Sequence, residues 1–261
     1  MKAIIITRDR VSYARMCFTA LADSEGIGDI HIVDHGSTYP PMLDWLGGIA
    51  GAYWRPDWKS SRDPVEPKGR VHVHWKPNAH PRDLWVNGTL ASIVTSGERF
   101  IVTDHDVVVP SEAPWVDQLA QLLWENLDIV KAGLQLRTRD LDPAVHRDAQ
   151  RIIEWESQYR PPRAMWSLPS AERAGWVRAS VDTTVAMYRD LRVFTLDPAV
   201  RTVEQQFEAV HLPWYESADD AVKAPEAKAE QDWYREHAEH GHWRDPEGFA
   251  DSHGLPADVG G

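Results

Sequence analysis

The chain has 261 residues, of which 43% are hydrophobic, and a formal net charge of −12. That is enough apolar content to exclude wholesale disorder and enough length for one large domain or two small ones. A single cysteine, Cys17, excludes an intramolecular disulfide, and its place in an apolar helical face marks it as a small core residue. The charge is uneven: Glu216–Gly261 holds 12 acidic and 4 basic residues, so −8 of the total lies there. Neither part carries the basic stripe of a phosphate-backbone binder, so there is no strong nucleic-acid signature.

In chain order, Lys2–Ile6 is a short isoleucine-rich run that predicts a buried strand. It is too short for a signal peptide or a membrane span, so a cytoplasmic protein is expected. Tyr13–Asp23 repeats its apolar residues with helical spacing, through Ala14, Cys17, Phe18, Leu21 and Ala22. Asp29–Val33 predicts a second strand, running into Asp34-His35-Gly36-Ser37. A helix is expected from Pro41 to Leu46, a strand over Arg70–Trp75 and a helix over Leu84–Ser96. Arg99–Val102 predicts a fourth strand that ends in Thr103-Asp104-His105-Asp106. A helix over Pro114–Glu125 and a strand over Asp128–Leu136 follow.

Strand and helix thus alternate four times in the first 125 residues, which predicts an α/β fold with a mostly parallel sheet flanked by helices. Ligands of such sheets bind at the carboxyl ends of the strands. The polar clusters Thr7–Arg10, Asp34–Ser37 and Asp104–Asp106 all stand at such ends, and their convergence argues for a nucleotide site.

Beyond residue 140 the spacing predicts a helix over Ala144–Tyr159, a loop over Arg160–Ala174, a strand over Ala179–Tyr188 and a short mixed stretch over Glu204–Trp214. Ala221–His242 is expected to be a polar helix on the surface or packed across the domain, and Arg244–Gly261 to be poorly ordered. The spacing His237-x-x-His240-x-His242 is read as a solvated helix face, since no acid or cysteine is fixed around it.

The segment most informative of chemistry is Phe100-Ile101-Val102-Thr103-Asp104-His105-Asp106. Two carboxylates two residues apart at a strand end offer hard oxygen ligands for Mn²⁺ or Mg²⁺ bridging to a diphosphate.

Several segments, in order, resemble family-2-like glycosyltransferases of the GT-A fold. Thr7-Arg8-Asp9-Arg10 is similar to that family's loop after the opening strand, and Val33-Asp34-His35-Gly36-Ser37-Thr38 to its "V-D-N-G-S-T" segment. Asn78-Ala79-His80-Pro81-Arg82 resembles its "N-x-G-x-x-x-R-N" segment, and Asp104-His105-Asp106 its Asp-x-Asp (DXD) motif. Asp182–Arg189 and Ala209–Tyr215 resemble the "D-T-T-F-A-L-Y-R" strand and the closing "H-L-P-W-Y" of bacterial and phage members.

The resemblance implies a GT-A glycosyltransferase domain over 1–215 and an acidic helical extension with a flexible tail over 216–261. It implies a cytoplasmic enzyme of a bacterium or a phage-infected host. Asp34 would contact the nucleotide base, uracil in much of the family. Thr7 and Arg10 would line the nucleoside pocket, and Asn78 and Arg82 would stand near the donor. Asp104 would face the ribose or the metal, and Asp106 and His211 would be metal ligands. Transfer to an acceptor hydroxyl with inversion is implied, with the acceptor a glycan, a protein, a lipid carrier or a modified DNA base. Asp182 is the first candidate for the catalytic base and Glu156 the second, because inversion needs a carboxylate within reach of the acceptor hydroxyl. Trp155, Trp166 and Trp176 could shape the acceptor cleft.

His35 stands where the family has asparagine, and His105 occupies the variable middle of the Asp-x-Asp; a surface role is expected for both. Two other readings share the strand-end chemistry. One is a nucleotidyltransferase, disfavoured because no glycine follows Ile6 until Gly26. The other is a non-catalytic nucleotide-binding member of the same fold.

Overall fold

The computed structural model describes residues 1–54, 68–76, 83–146, 148–159, 175–182, 184–191, 195–217 and 225–237. The first half alternates as expected: β1 (Lys2–Thr7), α1 (Val11–Asp23), β2 (Ile30–His35), α2 (Pro40–Ile49), β3 (Tyr53–Trp54) and β4 (Gly69–Lys76). Two short helices, α3 (Asp83–Val86) and α4 (Thr89–Ile93), lead into β5 (Phe100–Asp104), β6 (Val107–Val108) and α5 (Trp115–Glu125). Then come β7 (Lys131–Gly133), α6 (Ala149–Ser157), β8 (Trp176–Arg178), β9 (Val185–Tyr188), β10 (Ala199–Thr202), β11 (Val210–His211) and α7 (Pro225–His237).

Among the described residues nine strands form one mixed sheet in the order β3-β4-β2-β1-β5-β9-β7-β10-β8. The run β4-β2-β1-β5 is parallel, and β9 joins antiparallel to both β5 and β7. Ala3–Ile6 is buried on both faces, as a central parallel strand must be. One apolar cluster packs beneath α1, α2 and α5 and includes Ile5, Ile32, Leu21, Leu46 and Leu119. A second, on the other face, joins Ile4, Val33, Phe100 and Val102 to Leu84 and Leu90. Cys17 is fully buried in the first, as its helical position predicts. Among the described residues no helix is long and apolar enough to cross a membrane.

Several element boundaries differ from the sequence expectations, each for a local reason. The helix expected over Leu84–Ser96 breaks in two at Gly88, whose φ of 78° is left-handed, while Asn87 Oδ1 accepts the Thr89 N–H at 2.9 Å. The strand expected over Asp128–Leu136 is confined to β7, because Gln135 N–H turns to Thr202 Oγ1 and Arg137 N–H to the Ala209 carbonyl. The helix expected from Ala144 starts at Ala149, after Asp148 in a left-handed conformation. Only Val185–Tyr188 of the expected strand from Ala179 joins the sheet. Asn78, Arg82, Trp166, His240 and His242 lie outside the described residues, as do the loop over 160–174 and the tail from 238.

Candidate active site

Register brings the polar clusters to one end of the sheet. Thr7 stands opposite Asp34 on β2, and Ile6 opposite Asp104 on β5. Because β2, β1 and β5 are parallel neighbours, their carboxyl ends form one rim, with strands about 4.8 Å apart.

At the β2 side of the rim, Gly36 has a φ of 78°, the conformation that reserves the position for glycine. The turn it makes returns Ser37 to Asp34: Ser37 N–H donates to Asp34 Oδ2 at 3.0 Å, and the Ser37 hydroxyl donates to Oδ1. Asp34 is buried, and that burial raises its carboxyl above the ordinary value, with the Ser37 hydrogen bonds pulling the other way.

Asp9 braces the same turn from β1. It is fully buried, with φ of 55°, and its Oδ1 accepts the N–H groups of Thr38 at 2.5 Å and Tyr39 at 2.8 Å. Its own N–H donates to Ser37 Oγ at 2.8 Å. A non-glycine residue held in the left-handed region costs roughly 1–3 kcal/mol and persists only when its surroundings fix it. Sequence reading passed over Asp9 in favour of Thr7 and Arg10. A carboxylate directly after a strand was the available signal, but its partners lie about thirty residues away.

Thr7 is buried, and its hydroxyl has no hydrogen-bond partner among the described residues.

At the β5 side, the chain leaves Asp104 through His105, turns at Asp106 and enters β6. The closing strand β11 pairs antiparallel with β6 and sets His211 opposite Val107. Leu212 N–H donates to the Asp106 carbonyl at 2.8 Å, which locks the turn to the closing segment. His211 Nε2 thereby faces Asp106 Oδ1 at 3.6 Å, with both side chains mostly buried. Asp106 Oδ1, His211 Nδ1 and the neighbouring Trp214 Nε1 are buried without hydrogen-bond partners among the described residues. Burial holds the His211 imidazole below its ordinary pKa, with Asp106 opposing, and the neutral ring this favours is the form that ligates a metal. The residues therefore fit a divalent cation in part. Asp106 and His211 meet, whereas Asp104 does not close with them into a tight set of three among the described residues. The Asp104 carbonyl accepts from the Thr103 hydroxyl at 3.1 Å.

His105 and His35 are not surface residues: each is 3% exposed. His105 N–H donates to the Ile6 carbonyl at 3.0 Å, and its Nδ1 lies 3.2 Å from the same oxygen, so this histidine ties β5 to β1.

Of the two base candidates, Glu156 is buried and bound to Arg201 Nη1 at 3.1 Å, with Arg201 stacked 4.2 Å from the Tyr159 ring centroid and its Nε donating to the Ser180 carbonyl. The resulting cluster fastens α6 to β10, and Glu156 is neutralised within it. Asp182 is half-buried at the turn before β9. Two residues later the Thr184 carbonyl accepts from Thr103 Oγ1 at 2.7 Å, which brings this turn alongside the end of β5. Trp176 packs against the core, and Trp155 meets Tyr159 edge-on at 6.0 Å.

Arg10 does not reach into the rim as a free cation. Its guanidinium pairs with Glu216 at 2.7 Å and lies 3.5 Å from Glu230, between the rings of Tyr13 and Tyr234. These contacts dock α7 on the rim. Ser12 donates both N–H and hydroxyl to Glu230, Trp233 Nε1 donates to Thr38 Oγ1 at 3.2 Å, and Arg8 Nη2 donates to the His237 carbonyl at 3.2 Å. The C-terminal helix thus packs across the domain and covers the loops that follow β1 and β2. His237 stacks on Trp233 at 4.0 Å.

No family model matches the chain, and no curated protein matches it. Among solved structures, it is similar to the mannosyltransferase PcManGT from Pyrobaculum calidifontis in complex with GDP-Man and Mn²⁺, at 12% identity and a TM-score of 0.47, over 96% of this chain and 63% of that one. It is also similar to S. aureus TarS 1-349, at 13% identity and TM-score 0.39, over 72% of this chain and 46% of that one. The complex of TarS 1-349 with UDP-GlcNAc matches at 14% identity and TM-score 0.34, over 52% of this chain and 34% of that one. The chain spans less than two thirds of the length of each.

Proposed function

We propose that this protein is a metal-dependent, hexosyltransferase-like glycosyltransferase that moves a sugar from a UDP-sugar to an acceptor hydroxyl with inversion. The observation that carries the reading is the set of buried polar atoms without partners around one rim of the sheet: Thr7 Oγ1, Asp106 Oδ1, His211 Nδ1 and Trp214 Nε1. Buried polar groups are almost always satisfied, and each orphan costs about 1–3 kcal/mol, so four together ask for a polar ligand.

In this reading Asp34, held by Ser37, accepts an N–H of the uracil ring, and Thr7 hydrogen-bonds the nucleoside. Asn78 and Arg82 stand near the donor by resemblance. Asp104 faces the ribose. Asp106 and His211 would hold Mn²⁺ or Mg²⁺, which supplies neutralisation of the charge that builds on the departing diphosphate. Asp182 takes the proton of the acceptor hydroxyl as its oxygen bonds to the anomeric carbon, and the bond from that carbon to the diphosphate oxygen breaks. Glu156 is left to hold Arg201. Arg10 is left to hold the C-terminal helix.

The reading is tested by calorimetric titration of UDP and GDP into the protein with Mn²⁺ and then with EDTA. Metal-dependent binding of UDP is expected. Binding of neither nucleotide under either condition would overturn the assignment of the site.

A further inference from the structure

Away from the rim, three histidines share one face of the sheet. The register sets His31 of β2 beside His72 of β4 and Val33 beside His74. Alternate residues of a strand share a face, so His72 and His74 both stand on the side of His31. The His31 ring stacks on His72 at 4.5 Å and on His74 at 5.3 Å. Asp29, just before β2, accepts the Arg70 N–H on Oδ1 at 3.0 Å and lies with Oδ2 3.9 Å from His72 Nε2. One donor atom from each of Asp29, His31 and His72 lies within 4.8 Å of the other two. His31 is 6% exposed, and its Nε2 is buried with no hydrogen-bond partner among the described residues. Its Nδ1 is 3.0 Å from His74 Nε2.

We propose that Asp29, His31 and His72 form a zinc site on the sheet, with His31 Nε2 as the buried ligand and His74 as the group that fixes its tautomer. Two imidazoles and one carboxylate make a three-ligand set suited to Zn²⁺, with the fourth position open to water. Imidazole ligands favour zinc and its late transition-metal neighbours over Mg²⁺. His31 Nε2 can ligate only if the ring proton is on Nδ1, and that N–H then donates to His74 Nε2. This is the outer-shell bond that orients metal-bound histidines. Ligation requires the His72 imidazole, stacked on His31, to turn about χ2 so that its lone pair converges with that of His31 Nε2. The outward side is open, since the side chains of His72 and Asp29 are 34% and 42% exposed. The nearby cation Lys2 is already paired with Glu98 at 3.0 Å.

The site is separate from the proposed donor site and does not depend on that reading. His31 lies three residues before Asp34 on an extended strand, roughly 10 Å back from the rim at about 3.3 Å per residue. Zinc there would clip β4, flanked on its outer side by the two-residue β3, to β2, so binding is expected to stabilise the fold.

The test uses the full chain carrying Asp106→Ala, which removes the other candidate metal site, with Zn²⁺ alone as the probe and no nucleotide. Calorimetry is expected to show one site, with a Zn²⁺-dependent rise in Tm. Adding His72→Ala, at a half-exposed position, is expected to weaken that site at least tenfold, and Asp29→Asn, which keeps an acceptor for Arg70 N–H, to weaken it similarly. His74→Phe removes only the outer-shell bond, for which a loss of about 10- to 100-fold is expected. Absence of Zn²⁺ binding to the Asp106→Ala protein, or an affinity that neither His72→Ala nor Asp29→Asn changes, would overturn the proposal.

Discussion

His211 Nε2 faces Asp106 Oδ1 at 3.6 Å across the short ladder between β6 and β11, and Asp106 Oδ1 and His211 Nδ1 have no hydrogen-bond partner among the described residues. In the proposed function this carboxylate and imidazole share the cation. Asp106→Ala and His211→Ala are each expected to abolish sugar transfer and the Mn²⁺-dependent part of UDP binding. Each should remain folded in EDTA, with Tm lowered only modestly by the cavity that the smaller side chain leaves. Activity and Tm, measured on the same preparations, check both statements, and near-normal transfer by Asp106→Ala would refute the metal assignment.

Asp34 predicts a separation of stability from binding. Its folded-state pKa is raised by burial, so the native state holds the proton more tightly than the unfolded chain does. Stability from this group is present below the ordinary carboxylate pKa and is lost as pH rises through the folded value. Asp34→Asn retains an acceptor for Ser37 but never ionises. Its unfolding free energy is therefore expected to gain on the wild type as pH rises from about 4, by at most about 1.4 kcal/mol per pH unit, and to level off above the folded pKa. The same variant is expected to lose UDP binding at pH 7. Thermal melts across pH, with calorimetry at pH 7, decide it.

Arg10→Ala should release the C-terminal helix. It leaves Glu230, 3% exposed, and the partly buried Glu216 without their counter-charge. Breaking a buried pair from one side costs roughly 3–5 kcal/mol. Hydrogen exchange is expected to show lost protection over α7 and the residues 36–39 beneath it, with the amides of β1 and β5 unchanged. Uniform loss across the sheet would mean that the helix is integral to the core rather than docked on it.

The two base candidates give opposite phenotypes. Glu156→Gln leaves the buried Arg201 without its counter-charge and is expected to cost roughly 3–5 kcal/mol of stability while leaving transfer measurable in the folded fraction. Asp182→Asn, at a half-buried turn, is expected to leave the unfolding free energy within about 0.5 kcal/mol of wild type and to abolish transfer. Urea titrations and initial rates on the two variants separate the roles, and the reverse pattern would make Glu156 the base.

What the sequence determined by itself was the alternation. Apolar runs at Lys2–Ile6, Asp29–Val33 and Arg99–Val102, spaced by helical periodicity, dictate parallel strands, and the polar residue that ends each run must then stand on the rim. Gly36 and the Asp-x-Asp were legible because their demands are local, a left-handed turn in one case and two carboxylates at a strand end in the other. Tertiary structure alone decided the rest. Nothing near Arg10 says that its partners are Glu216 and Glu230, more than two hundred residues away. Nothing near His31 says that register will stack it on His72 and His74. Nothing near Glu156 says that β10 will supply Arg201 as its partner. Hydrophobic periodicity fixes which face a residue occupies, whereas a side chain's partner depends on which strands lie adjacent and in what register, a property of the whole sheet.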